Sequence, residues 1–181
     1  MVEMVDLFCK GSTFPQMLPS HLLFQRISQE LSSAIVRYLR SEEREVYKST
    51  LSALATERRL RPVFIQKRPI EAQLTWMQES LKLKNSESIA DQVLQVWLLK
   101  SKKEMVVGFL ESMGIEHDGD GSVEELPEEM DAEKLKAGVE AMLGDHSVDE
   151  VKLYLHMFHG QRPGGWEALG KLLDEDERLR L

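Results

Sequence analysis

Apolar residues recur along most of the chain at the three-to-four spacing of a helix, and strict alternation is rare. After Pro19, the residues Leu23, Ile27, Leu31, Ile35 and Leu39 fall four apart, with Ala34 and Tyr38 beside them. They predict one long helix that Ser20 can cap. Ser41 predicts the cap of the next, with Glu42 and Glu43 at its positive dipole end and Val46/Tyr47, Thr50/Leu51 and Leu54 as its buried face. That helix should fade near Arg58–Leu60. Residues 62–69 break the pattern, because Pro62 and Pro69 bracket Val63, Phe64 and Ile65. They read as a linker whose apolar centre plugs the core.

A helix restarts after Pro69 with Ile70, Leu74, Met77 and Leu81. Ser86 or Ser88 opens another, carrying Ile89, Val93, Val96, Trp97 and Lys100. Met105, Val106, Phe109, Leu110 and Met113 mark the next, which Gly114 ends as a left-handed cap. An irregular stretch follows, to residue 130. Asp131 then caps a helix with Leu135, Val139, Met142 and Leu143, stopped by Gly144. Ser147 and Glu150 form a capping box before Val151, Tyr154, Leu155 and Phe158. A turn over 160–165 precedes the last helix, which starts at Trp166. Its acidic end, Asp174–Glu177, opposes the helix dipole and is expected to fray.

The expected fold is all-α, a compact bundle of about eight helices. Residues 1–181 suit one domain in length. Two lobes, 1–114 and 131–181, joined by the acidic loop 115–130, are the alternative. Neither a fixed repeat nor a sustained heptad is present.

Composition adds little by itself: 42% hydrophobic and 30% charged residues describe an ordinary globular chain. The charge distribution adds more. Residues 1–103 hold 16 Lys/Arg and 11 Asp/Glu, a net +5, whereas residues 104–181 hold 7 and 20, a net −13. Nine acids and no base lie between Glu116 and Glu133. Such polarity bears on partners or on docking between copies. The N-terminus, with Glu3 and Asp6 and no basic run, does not read as a secretory signal, and no apolar stretch approaches the about 20 residues of a membrane span. One cysteine fits a reducing compartment, so the expected location is cytoplasmic with no membrane partner.

Chemical motifs are sparse. Asp118, Asp120, Ser122 and Glu129 fall at positions one, three, five and twelve of a calcium-binding loop, but Val123 stands where that loop needs glycine. A solvated acidic loop is the plainer reading. His156 and His159 lie at i and i+3 on one helix and share a face that could ligate zinc, with a third ligand still to be found. On the helical wheel His159 falls near Leu155 and Val151, at the core edge, while His156 follows Lys152, so the plainer reading is a hydrogen-bonded structural His159 beside an exposed His156. Cys9 has nothing local to lower its pKa, and neither a nucleophile elbow nor a phosphate loop occurs. No cofactor is expected.

The strongest positive cluster is Arg58, Arg59, Arg61, Lys67 and Arg68 with Phe64 between them, extended by Arg37, Arg40, Arg44 and Lys48. Trp76 stands one position off its helix's apolar face and is the candidate interface aromatic. The leading expectation is a non-catalytic interaction or regulatory module that binds a protein partner or its own copy as a homodimer. A nucleic-acid-associated protein using 58–68 is the first alternative, weakened by a pI of about 5.2. A metal-dependent enzyme or sensor is the second.

Overall fold

Local capping signals fix a few of the helix ends. The computed structural model describes residues 18–181, and Cys9 and the N-terminal segment lie outside them. The described residues form ten α-helices and no strand. They are α1 (Ser20–Arg26), α2 (Gln29–Ser41), α3 (Arg44–Glu57), α4 (Pro62–Gln66) and α5 (Ile70–Leu81), then α6 (Glu87–Ser101), α7 (Lys103–Met113), α8 (Ala132–Asp145), α9 (Val148–His159) and α10 (Glu167–Glu175). A 3₁₀ turn, Lys84–Ser86, precedes α6. The protein is all-α.

Two of the ten helices separate this count from the eight read from periodicity. The long helix predicted from Leu23 to Leu39 is two. Ile27 takes an extended conformation (ψ 157°), and Ser28 caps α2 by accepting a hydrogen bond from the Leu31 amide at 3.2 Å. The second addition is α4, five residues where a linker was expected. Pro62 sits in its first turn, where a missing amide hydrogen costs nothing. Ser41 does not cap α3. It is the last residue of α2, its hydroxyl donating to Tyr38 O, and Glu43 precedes α3 without a side-chain cap.

Other ends follow the sequence. Gly114 closes α7 at φ +70°, and Asp131 caps α8 by accepting from the amides of Glu133 and Lys134. Ser147 accepts from the Glu150 amide at 3.3 Å, but the Glu150 carboxylate does not return to complete the capping box. It pairs instead with Lys102 Nζ at 2.7 Å, tying the α6–α7 junction to the first turn of α9.

α1 lacks any local cap, and Glu87 supplies one from 67 residues away. Its carboxylate accepts from the amides of Ser20 at 2.8 Å and His21 at 2.9 Å, and meets His21 Nδ1 at 2.5 Å. Ser20 Oγ donates to Asp91 one turn further along α6, at 3.0 Å. Burial acts to raise the Glu87 pKa, but these bonds from His21 and Ser20 outweigh it, and the net shift is downward.

α6 is the centre of the packing and touches α1, α2, α3, α5 and α7. Its Ala90, Val93, Leu94 and Trp97, at helical spacing, are buried. On its far side α7 packs mainly on α8. Gly138 permits that approach, since a Cβ there would stand 2.5 Å from Ser112 Oγ. The buried apolar side chains among the described residues form a cluster running from Leu23 to Leu179, and the acidic loop joins α7 to α8, which pack on each other.

The chain past Asp174 does not fray. Leu179 is fully buried, and Arg178 bonds Asp176 and Glu140, which binds the C-terminal turn to α8. No helix among the described residues is long and apolar enough to cross a membrane.

Candidate functional site

Large apolar side chains are exposed chiefly in one short stretch. Leu60 (40%), Val63 (43%), Phe64 (60%) and Ile70 (46%) all face solvent, while Ile65 alone turns inward and is fully buried. The core plug expected from Val63–Ile65 is thus Ile65 by itself. Its neighbours are left outside because α4 is a single turn and can bury one side. Arg59, Arg61, Lys67 and Arg68 are exposed around these apolar residues, and no acid occurs between Arg58 and Ile70. Arg59 adopts a left-handed conformation (φ 54°), which turns the chain from α3 into α4.

Two residues of the predicted patch have internal work. The Arg58 guanidinium lies over the Trp76 ring at 5.5 Å and donates to Ser80 Oγ at 3.0 Å. Trp76 is partly buried against the core. The pair therefore joins the end of α3 to α5, and Arg58, itself exposed, stands at the edge of the surface that runs from Arg59 to Ile70.

Ile70 also borders a groove of about 800 Å³ between α2, α3 and the start of α5. The extending cations Arg37, Arg40, Arg44 and Lys48 line it, together with Tyr38 and Tyr47. Several of these charges are engaged within the chain. Arg37 bonds Glu71 at 2.6 Å, Lys48 bonds Glu45 at 2.8 Å, and Arg40 lies 5.8 Å over the Tyr47 ring.

The metal candidates are dispersed. Asp120 accepts from the Ser122 amide at 2.8 Å, and Ser122 O accepts from the Asp118 amide at 3.1 Å, so the loop closes a turn on itself. Glu129 is exposed at the loop's far end. The loop is fastened by buried Ile115 and Met130 and by the Trp166 indole, which donates to Pro127 O at 2.8 Å. Arg162 bonds Glu128 O. Among the described residues no three His, Cys, Asp or Glu side chains come together at metal-binding distance.

His156 Nε2 donates to Leu179 O at 3.0 Å, and His159 Nδ1 accepts from the Trp166 amide at 3.3 Å. His159 is buried, as its wheel position implied. His156, expected to be exposed, is covered by the C-terminal turn that the acidic sequence suggested would fray. Both rings are therefore committed to backbone partners. Burial is the largest influence on each and lowers both pKa values, although the Leu179 bond and Asp174 act the other way.

These rings give the fold a pH dependence. The unfolded chain takes up protons at its histidines near the ordinary value of about 6.5, while the folded protein resists until the lower folded values are reached. Thermal stability is expected to be level above that value and to fall as pH drops below it, before most carboxylates titrate. A Tm unchanged between about pH 7.5 and 5.5 would contradict this.

Compared with protein-family models, curated proteins and solved structures, the chain matches none. The surface chemistry is then the guide to its role.

Proposed function

We propose that this chain is a non-catalytic helical interaction module, and that the face from Arg59 to Ile70 docks an acidic, amphipathic helical segment of a partner protein. The observation that carries the reading is the exposure of Leu60, Val63, Phe64 and Ile70 within a stretch holding four exposed cations and no acid. Exposed apolar clusters of this kind mark contact surfaces. Phe64 supplies the anchor, since buried aromatic residues dominate interface energetics. Arg61, Lys67 and Arg68 select acidic partners and raise the association rate.

A random-peptide display library panned against the whole protein tests this reading. The expected enrichment is Leu or Phe at helical spacing interleaved with Asp and Glu. Phe64→Asp is expected to weaken the selected peptides about thirtyfold, as loss of an anchor worth about 2 kcal/mol requires. Because Phe64 is exposed, its Tm should not change. Absence of an acidic apolar consensus, or peptides that bind the variant equally well, would overturn the proposal.

The second reading is nucleic-acid binding, favoured by the exposure of Phe64 among the cations, where it could stack on an unpaired base. A shift assay with single-stranded DNA at about 50 mM salt separates the two, since binding through phosphates weakens steeply as salt rises. Sedimentation at low and high salt reports self-association, the form the contact would take if the acidic loop of a second copy were the partner.

A further inference from the structure

The charge polarity of the chain is not consumed within one copy. Among the described residues, no ion pair joins a cation of residues 37–68 to an acid of residues 116–133. α6 stands between the two surfaces. It packs on α2, α3 and α5, which carry the basic groove, and on α7, from which the acidic loop leads into α8. α2, α3 and α5 make no comparable contact with α7 or α8.

The acidic side is concentrated and held in place. All nine of its acids, from Glu116 to Glu133, are exposed. Cations reach only its edges: Arg162 bonds Glu128 O, and Lys103 lies near enough to favour the ionised form of Asp120. The Trp166 indole on Pro127 O and the buried Ile115 and Met130 fix the loop, so docking it costs little conformational freedom.

The basic side is concave. The groove of about 800 Å³ between α2, α3 and α5 is lined by Arg37, Arg40, Arg44 and Lys48 and by no acid. Acids do border it, since Glu42 and Glu43 act on the Tyr38 phenol. Arg40 and Arg44 nevertheless form no ion pair among the described residues, and the pairs of Arg37 with Glu71 and of Lys48 with Glu45 are exposed on both sides. Exposed pairs of this kind are weak and exchange at little cost.

We propose that this groove receives the acidic loop of a second copy, with Glu124, Glu125, Glu128 and Glu129 brought against its arginines and lysine. The contact joins two different surfaces, so copies add head to tail. The net charge of −8 on each copy opposes association at long range. Physiological salt screens that repulsion beyond about 8 Å, whereas the charges at the contact touch. The contact stands apart from the docking of a partner helix at Arg59–Ile70. Ile70 borders both surfaces, but Phe64 does not line the groove.

Sedimentation equilibrium of the full-length protein at physiological salt is the test, taken to about 1 mM because small polar contacts are weak. The average mass is expected to rise with concentration past that of a dimer, as open addition requires. Arg44→Glu/Lys48→Glu should lower the association constant at least about tenfold, because like charges then face each other. Both residues are exposed, and an acid suits position 44 in the first turn of α3, so the Tm should hold. Glu124→Lys/Glu125→Lys should have the same effect from the other side. The chain carrying all four substitutions should associate again, with the signs exchanged. Phe64→Asp should associate as wild type does, which keeps this contact distinguishable from the docking face. A monomer at every concentration, a plateau at the dimer, association indifferent to either pair of reversals, no recovery in the fourfold variant, or loss on Phe64→Asp would each overturn the assignment.

Discussion

Phe109→Ala is expected to destabilise the protein by about 3–5 kcal/mol, the usual cost of emptying a buried aromatic site. Phe109 is fully buried on α7, and its ring meets two others edge-on, Tyr154 at 5.5 Å and Phe158 at 5.4 Å. Phe158 in turn stacks on Trp166 at 4.9 Å with an interplanar angle of 11°. Removing Phe109 therefore takes the supporting edge from both α9 rings and leaves a void on the face where α7 meets α9. Native domains are stable by only about 5–15 kcal/mol, so the variant should sit near the folding threshold. Urea unfolding measures the loss. Phe109→Leu, which keeps most of the volume, should cost less than half as much. A loss below about 1 kcal/mol for the alanine variant would show that neighbouring helices collapse into the space.

Gly165→Ala is the second large effect. Gly165 lies at φ +64°, and a Cβ there would stand 2.2 Å from the His159 ring. The left-handed backbone alone costs a non-glycine residue about 1–2 kcal/mol, and overpacking a filled site adds about 1–3 kcal/mol. The His159 ring cannot swing aside cheaply, because it is buried and holds the Trp166 amide. Gly164 provides the internal comparison, since it lies at φ +82° with nothing within 4 Å of the point a Cβ would occupy. Gly164→Ala should show the backbone cost alone, and the difference between the two midpoints in urea reports the clash with His159. Equal losses would mean that the turn moves away as a unit.

The parts of this fold that could be read from sequence are those whose cause is local. Gly114, Asp131 and Ser147 each end or start a helix through bonds to amides and carbonyls within four residues, so their side chains announce them. The parts that could not be read depend on distant partners. Spacing alone runs from Leu23 to Leu39 without a break, and only the Ser28 hydroxyl on Leu31 N shows where the chain turns. The acidic C-terminus looked frayed because its stabilising partner, Glu140, lies on another helix. The basic surface was visible as charge, but which of Val63, Phe64 and Ile65 enters the core depends on the angle at which α4 meets α3. The Arg58 guanidinium over Trp76 could not be read either, because nothing in the Trp76 helix indicates that a residue at the end of α3 reaches it.

Glu87 carries a consequence for the order of assembly. The first amides of α1 have no local acceptor, and the one they use belongs to the first turn of α6. α1 is seven residues long, too short to persist alone in water. It therefore lacks its amide acceptor and most of its packing until α6 is in place, and the loop closed between them is long enough to carry a substantial entropic cost. The first helix in the described chain is thus expected to become permanent late, as a cover over a core built from later segments, and hydrogen exchange of its amides during refolding would report that order. During synthesis its apolar face, Leu23 and Phe24, emerges before α6 and must wait for that partner.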